Sequence, residues 1–254
     1  MIATPTGFEF PSTELRCVLG SVTRHRKVRI ESTRRLISGL SDLWCKVRRK
    51  EIERNALENH HFNPLRGIKI RETDHSKILG SLLDPRGSHG QNRLFLDSFL
   101  ELLGMEAGGG RWTVAVESGR VDILLRRQDD PASVVIIENK AHRAQDQDGQ
   151  LYRYWFYEIY SGHQNVRYDD AETAKRFRVV YLPPGGYARP AERSLMRPAE
   201  QIYASCPHAR LPVEILDCRS FQSDIAGWLK KMAELNLSLR LKTFLKLYAE
   251  IWSI

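Results

Sequence analysis

The pattern of apolar and polar positions predicts a group of strands in the middle of the chain. Three strand-like runs follow one another with short polar connections: residues 112–118, 120–127 and 133–140. Short connections favour an antiparallel meander. The third run contains four consecutive β-branched residues, Val134 to Ile137, which indicates a strand buried on both faces. Two further strands are predicted later in the chain, over residues 177–183 and 212–217.

Apolar residues at helical spacing predict helices on both sides of these strands. Leu36, Leu40 and Leu43 indicate a helix over residues 31–58, after a loose start over residues 1–15. Further helices are predicted within 72–90, over 91–103 and 146–161, and as an amphipathic pair in 221–253. A proline-rich loop with room for a short helix is predicted over residues 184–210. The resulting order is helix, three strands, helix, strand, which is typical of a mixed sheet covered by helices.

Composition and charge predict a cytoplasmic globular protein that acts on a polyanion. The 254 residues carry a net charge of +8, and residues 1–60 alone hold 12 basic and 7 acidic side chains. This excess favours nucleic acid as the partner, although a solvated helical face would give the same pattern. No run of 18 apolar residues occurs and residues 1–11 lack a secretory pattern, so we expect no membrane association. The four cysteines form no CxxC pair, which fits a reducing compartment.

Four polar residues stand where the buried strands should be apolar, namely Asp122, Glu138, Asn139 and Lys140. Glu138 and Lys140 are two residues apart, so their side chains share one face of the strand, and Asp122 on the adjacent strand can lie opposite them. Burying these charges is costly unless something compensates them. Two carboxylates and the backbone carbonyl of Asn139 are oxygen ligands of the kind that Mg²⁺ or Mn²⁺ prefers. The pattern predicts a metal site beside a lysine, and the alternative is a buried ion-pair network without metal.

At these residues the chain resembles the PD-(D/E)XK nuclease superfamily. The resemblance rests on Asp122 with Glu138-Asn139-Lys140, on ETDHSKILGSLLDPRGSHG (72–90) and on DQDGQLYRYW (146–155), and it covers about residues 70–160. Val121 stands where the family pattern has proline. The resemblance implies an α/β restriction-endonuclease-like core, a central mixed sheet flanked by helices (αβββαβ), with helical extensions at both ends. The expected division is a basic helical extension, the nuclease core and a pair of C-terminal helices: residues 1–65, 66–220 and 221–254.

The resemblance also implies roles for individual residues. Asp122 and Glu138 would be metal ligands, Lys140 the catalytic lysine, and Gln150 would orient substrate or water. Glu72, at the start of the first core helix, could reach the metal through water.

Other positions are left with two interpretations. Glu117 is either a ligand of a second metal or an exposed carboxylate at a strand end. Tyr154 either contacts substrate or packs on the sheet. His75 and Ser76 lie in the family motif and could contact substrate, although a histidine in a first helical turn often only bonds locally. Arg126 could contact phosphate or form a solvated strand edge.

The function implied is that of a Mg²⁺-dependent endonuclease that hydrolyses phosphodiester bonds of nucleic acid, with DNA as the favoured substrate. A metal-activated water would attack in line and leave a 5′-phosphate. One alternative is a catalytically silent nucleic-acid-binding module on the same fold. Another is a phosphoesterase for small nucleotides, but no Walker-type phosphate loop occurs. A homodimer, with the C-terminal helices as interface or as part of the monomer core, and a role in phage defence are further expectations.

Overall fold

The computed structural model describes residues 12–59, 62–106, 108–129, 132–164, 166–168, 170–186 and 188–253. Contacts between residues divide the chain into two compact units, Met1–Phe62 and Asn63–Ile254. The second unit contains the sheet and both hydrophobic clusters, so the candidate site lies entirely within it.

The described part of the first unit is dominated by one long helix, α1, which runs over Ser12–Glu58. The predicted helix over 31–58 is confirmed, but its predicted start is too late. The prediction of a loose chain is wrong for residues 12–15, and residues 1–11 lie outside the described residues.

The absence of proline from this stretch explains the length of α1. No proline occurs between Pro11 and Pro64, so no residue in between removes a helical hydrogen bond for lack of an N–H group. Leu36, Leu40 and Trp44 on α1 are exposed. None of the described helices is long and apolar enough to cross a lipid bilayer.

The second unit is built on one mixed sheet with the strand order β1-β2-β3-β4-β5. The strands are β1 Trp112–Ser118, β2 Val121–Arg127, β3 Ser133–Asn139, β4 Phe177–Leu182 and β5 Leu216–Cys218. The first three form the predicted antiparallel meander, whereas β4 runs parallel to β3 and β5 runs parallel to β4. Every residue of β3 is buried, which confirms the prediction of a central strand from its β-branched run.

Helices cover both faces of the sheet. They are α2 Glu72–Leu83, α3 Leu94–Leu102, α4 Gln150–Glu158, α5 Ala171–Arg176, α6 Glu192–Leu195, α7 Ala226–Ala233 and α8 Leu239–Glu250. Apolar residues of α2, α3, α7 and α8 form one hydrophobic cluster, and those of α4 and α6 belong to the other. The C-terminal helices therefore pack on the core of the same chain, with Leu245 and Tyr248 fully buried. The predicted order of helix, three strands, helix and strand is confirmed.

The predicted strand over 212–217 is largely wrong. Val213–Ile215 forms a 3₁₀ turn, and only Leu216–Cys218 pairs with β4. Pro212 begins the turn with φ of −58° and has no N–H group for a strand ladder, which explains the late start of β5.

The predicted helix over 146–161 is confirmed only in its middle, Gln150–Glu158. Gly149 sets the start of α4, because its φ of 62° lies in the left-handed region and the regular helix can only begin after it. A side chain at this position would also clash with Pro198. The loop before Gly149 is consequently free to run past the end of β3.

Candidate active site

The pairing of β2 with β3 brings Asp122 and Glu138 to neighbouring positions. Ile123 pairs with Ile137 in the antiparallel register, so the next position along the sheet places Asp122 opposite Glu138 on the same face. At this end of the ladder, the backbone N–H of Asn139 donates to Asp122 Oδ2 at 2.7 Å. The Asp122 carboxylate therefore anchors the end of β3 to β2.

Glu138 is a buried carboxylate with only one oxygen engaged. Its Oε1 atom lies 2.8 Å from Lys140 Nζ and accepts from Gln150 Nε2 at 2.9 Å. Its Oε2 atom is buried and has no hydrogen-bond partner among the described residues. A buried carboxylate oxygen without a partner is costly, so this atom is the clearest sign of a missing ligand in the site.

Burial makes the charged form of both carboxylates, Asp122 and Glu138, less favourable. Burial, reinforced by the charge of Asp122, raises the pKa of Glu138 to about 8 against the opposing effect of Lys140. Burial also raises the pKa of Asp122 to about 6, helped by the charges of Glu117 and Glu72 and opposed by the Asn139 hydrogen bond. Burial is the largest cause of both shifts, and a cation bound between the two carboxylates would favour their charged forms.

Lys140 lies between two carboxylates at the end of the sheet. Its Nζ atom is 2.8 Å from Glu138 Oε1, 3.5 Å from Asp146 Oδ1 and 3.3 Å from Gln150 Oε1. Burial lowers the pKa of Lys140, but the charges of Glu138 and Asp146 outweigh this effect and raise it overall. Lys140 is therefore a cation that donates hydrogen bonds at neutral pH.

Gln150 and Tyr154 extend this network along α4. The Gln150 amide donates to Glu138 Oε1 and to the Tyr154 hydroxyl, each at 2.9 Å. Tyr154 is buried, and burial together with the charge of Glu138 raises its pKa to about 12. Tyr154 thus packs behind Gln150 and supports it, rather than standing at the surface of the site.

Sequence reasoning missed Asp146, which is a member of the site. Its carboxylate accepts from the Tyr181 hydroxyl at 3.2 Å and from the Ala191 N–H at 2.7 Å, and it pairs with Lys140. Its side chain is only 7% exposed. The sequence did contain a sign of this role, because Asp146 is the first residue of the DQDGQLYRYW block. It was overlooked because the whole block was expected to form a helix.

Glu72, Ser76 and Asn139 connect the start of α2 to the end of β3. The Asn139 side-chain amide donates to the Glu72 carbonyl at 2.7 Å and to Ser76 Oγ at 2.9 Å. The Glu72 carboxylate accepts from the backbone N–H of His142 at 3.2 Å, so it lies just past the end of the strand. Ser76 is buried and holds Asn139 in place, which argues against its predicted contact with substrate.

Glu117 lies close to Asp122 in a strained backbone. In β1, Val116 pairs with Ile123 and Ser118 pairs with Val121, so Glu117 stands at the register position of Asp122. Its φ of 51° is uncommon for a residue other than glycine, and such conformations cluster at functional sites.

Two predicted substrate-binding residues lie apart from the carboxylates. His75 is buried beside α8, where its Nδ1 atom pairs with the Tyr248 hydroxyl at 2.9 Å. Burial, with a smaller effect of His142, lowers its pKa to about 4, which leaves it neutral. Arg126 forms an ion pair with Glu158, four positions along β2 from Asp122 and so roughly 13 Å away. The structure therefore favours the local interpretation for Arg126, whereas His75, besides its bond to Tyr248, also lines a cleft beside α8.

The site fits a hard divalent cation. Among the described residues, no group of three or more His, Cys, Asp or Glu side chains is arranged to hold a metal ion, so the protein would supply fewer side-chain ligands. Asp122 and Glu138 offer carboxylate oxygens. Because the N–H and C=O groups of one strand residue point to the same side, the Asn139 carbonyl points toward Asp122 as well. Mg²⁺ keeps several waters and needs only one or two carboxylates, so this small set of oxygen ligands suits it.

Comparison with known proteins identifies the family of the chain. A family model described as the PD-(D/E)XK nuclease superfamily matches residues 62–234, which is more than half of the chain. The comparison with curated proteins found no match, and neither did the comparison with solved structures. The matched region contains the mixed sheet, both site carboxylates, Lys140 and Gln150. The chain therefore belongs to the PD-(D/E)XK nuclease superfamily.

Proposed function

We propose that this protein is a metal-dependent nuclease that hydrolyses phosphodiester bonds of nucleic acid, with DNA as the favoured substrate. The observation that carries the proposal is the buried Glu138 Oε2 atom, which has no hydrogen-bond partner in the described part of the chain and lies on the carboxylate that contacts Lys140. A buried ion-pair network without metal would leave that oxygen uncompensated.

Asp122, Glu138 and the Asn139 carbonyl would hold Mg²⁺ or Mn²⁺. Such a cation, when bound, lowers the pKa of its water and neutralises charge on a phosphoryl group. Gln150 prepares Glu138 for this role, because its amide donates to Oε1 and leaves Oε2 for another ligand. Two further hydrogen bonds fix the orientation of the Gln150 amide, because its Oε1 atom accepts from the Gln147 N–H at 3.2 Å and from Lys140.

Lys140 would act directly on the substrate. Its ammonium touches Glu138 Oε1, so a phosphodiester held next to Glu138 comes within its reach. There it would donate a hydrogen bond and stabilise the charge that develops on the phosphoryl oxygens. Asp146 positions this ammonium from the other side.

Charge around the site supports a polyanionic substrate. The chain carries a net charge of +8. Arg143 is exposed three residues after Lys140, and the exposed Arg193 donates to the Asp146 carbonyl at 2.9 Å. Arginines at the rim of an acidic site suit phosphates on either side of the bond that is cut.

Cleavage of supercoiled plasmid tests the proposal. The purified protein should nick plasmid in Mg²⁺ but not in EDTA, and Asp122→Asn and Lys140→Met should each lower the rate at least a hundredfold. Asp148→Asn is the control for loss of a carboxylate from the same loop, because the Asp148 side chain is 87% exposed and lies 3.4 Å from Arg193 rather than beside Lys140.

Undiminished cutting by both variants would refute the assignment. Tight binding that needs no Mg²⁺, without cleavage of duplex, single-stranded or branched DNA or RNA, would instead identify a catalytically silent binding module.

A further inference from the structure

A cleft lies beside the end of β3, on the α8 side of the sheet. Its volume is about 620 Å³. The lining residues that matter here are Ile68, Lys69, Ile70, His142, Ile251 and Trp252. We call it the α8 cleft. Nothing in the catalytic proposal uses it.

The α8 cleft adjoins the candidate active site through His142. This residue follows Lys140 by two positions, which is at most about 7 Å of chain. Its backbone N–H donates to the Glu72 carboxylate, and its ring Nε2 pairs with the Ile70 carbonyl at 2.8 Å. One wall of the cleft is therefore formed by a residue that also contacts Glu72, whose carbonyl accepts from Asn139 at the end of β3.

The walls of the cleft are apolar and the aromatic ring in them is held firmly. Ile68 is 61% exposed, and it lines the cleft together with Ile70, Ile251 and Trp252. Trp252 stacks on Phe221 with ring centroids 4.2 Å apart and lies 4.8 Å from His75. A half-buried indole fixed in this way offers a preformed surface for a flat ring.

The charge at the rim complements phosphate. Arg66 and Lys69 are exposed cations that line the cleft, and none of the described residues lining it is acidic. Arg66 uses one nitrogen to donate to the Glu250 carbonyl at 2.9 Å, and a guanidinium has further donors. An apolar, aromatic-lined space with cations at its mouth matches a nucleobase whose phosphates stay outside.

We propose that the α8 cleft binds one unpaired nucleobase of the substrate strand, adjacent to the phosphodiester that is cut. A volume of about 620 Å³ is within the range of small-ligand pockets and is large enough for one nucleotide. A paired base is held in the duplex stack, so only an unpaired base can enter the cleft. The protein should therefore bind single-stranded or frayed ends more tightly than an intact duplex. This inference rests on the proposed nuclease function, because the base is taken to belong to the strand held at Glu138.

Binding measured without cleavage tests the cleft. Fluorescence anisotropy in EDTA compares a labelled thymidine 15-mer with a blunt duplex of the same length. Ile68→Asp should weaken single-strand binding about tenfold and duplex binding less than twofold, since the variant places a charge in the apolar wall that would receive the base. Lys69→Gln should weaken single-strand binding less, and the difference from wild type should shrink in high salt.

Ile202→Asp is the matched control, because Ile202 is 55% exposed outside the cleft and receives the same added charge. Circular dichroism checks that each variant is folded. Equal loss with Ile202→Asp, or unchanged single-strand binding with Ile68→Asp and Lys69→Gln, would overturn the inference. So would equal affinity of the wild-type protein for the two DNAs.

The experiments distinguish a failure of the cleft proposal from a failure of the nuclease proposal. If wild-type protein nicks plasmid in Mg²⁺ but the cleft variants bind like wild type, only the cleft inference is lost. If wild-type protein never cuts while Ile68→Asp selectively loses single-strand binding, the cleft stands and the catalytic proposal fails.

Discussion

At the scale of single residues, the site is a set of charges that are incompletely balanced. Glu138 is buried among Asp122, Lys140 and Gln150, and its second oxygen has no hydrogen-bond partner in the described structure. Such an arrangement costs stability in the metal-free protein. Functional sites often lower the stability of a folded protein in this way, because their side chains are arranged to bind a ligand.

The raised pKa of Glu138 predicts how stability depends on pH without metal. Burial favours the protonated form of Glu138. Between about pH 4.5 and about pH 8, the folded protein therefore keeps a proton on this group that the unfolded chain has already lost. The unfolding free energy should therefore fall as pH rises through this window, by about 1.4 kcal/mol per pH unit at most. Glu138→Gln cannot titrate there, so its unfolding free energy should fall less steeply.

The measurement is urea unfolding in EDTA from pH 4.5 to 8.5, read as the difference between wild type and Glu138→Gln. Adding Mg²⁺ at pH 8 should raise the stability of wild type much more than that of the variant, because a ligand that binds only the folded state stabilises it. Parallel curves for the two proteins in EDTA would show that the Glu138 carboxylate is not a destabilised group.

At the scale of elements, the site is held together where the ends of several strands and helices meet. Asp146 joins three of them, since its carboxylate contacts Lys140 after β3, Tyr181 in β4 and the backbone just before α6. Ser76 and Asn139 make a similar connection between α2 and β3. These contacts explain why a loop residue can position a side chain on the sheet.

Asp146→Asn should therefore act on Lys140 rather than on folding alone. We expect plasmid cutting to slow about tenfold, as is usual when a group that supports a reacting side chain is altered. The Asp146 charge raises the pKa of Lys140, so its loss should lower that pKa and move the alkaline fall of the pH–rate profile to lower pH. A slower enzyme with an unmoved profile would indicate a merely structural role, and Asp148→Asn should change neither quantity.

At the scale of the whole molecule, the chain separates into Met1–Phe62 and Asn63–Ile254. Both hydrophobic clusters lie in the second unit, and the family match begins at residue 62. In the first unit, the apolar side chains Leu36, Leu40 and Trp44 are exposed. Among the residues that the structure describes, both clusters therefore consist of residues of the second unit.

A protein consisting of residues 63–254 should accordingly fold by itself. We expect one cooperative thermal transition by circular dichroism and retained nicking of plasmid in Mg²⁺, because the buried clusters and the site are complete in this unit. Binding to nucleic acid should weaken and its salt dependence should decrease, since residues 1–60 carry 12 basic and 7 acidic side chains. A broad, non-cooperative transition would contradict the division into two units.

Much of the fold could be predicted from the sequence because its signals are local. Consecutive β-branched residues marked β3, short polar connections marked the meander, and helical spacing marked α1 to α3. The boundaries were less predictable where one residue decides them. Gly149 delayed the start of α4, and Pro212 turned most of the expected last strand into a 3₁₀ turn.

The sequence by itself determined that Asp122 and Glu138 belong to neighbouring strands and that Lys140 shares the face of Glu138 at the strand's end, because strand alternation is a property of adjacent residues. Only the tertiary structure decided that Asp146 reaches Lys140, that His75 turns to Tyr248, and that Arg126 pairs with Glu158. Each of these contacts joins different elements or a loop to a strand. Such contacts depend on how whole elements pack, and that packing is set by many weak interactions that no local pattern records.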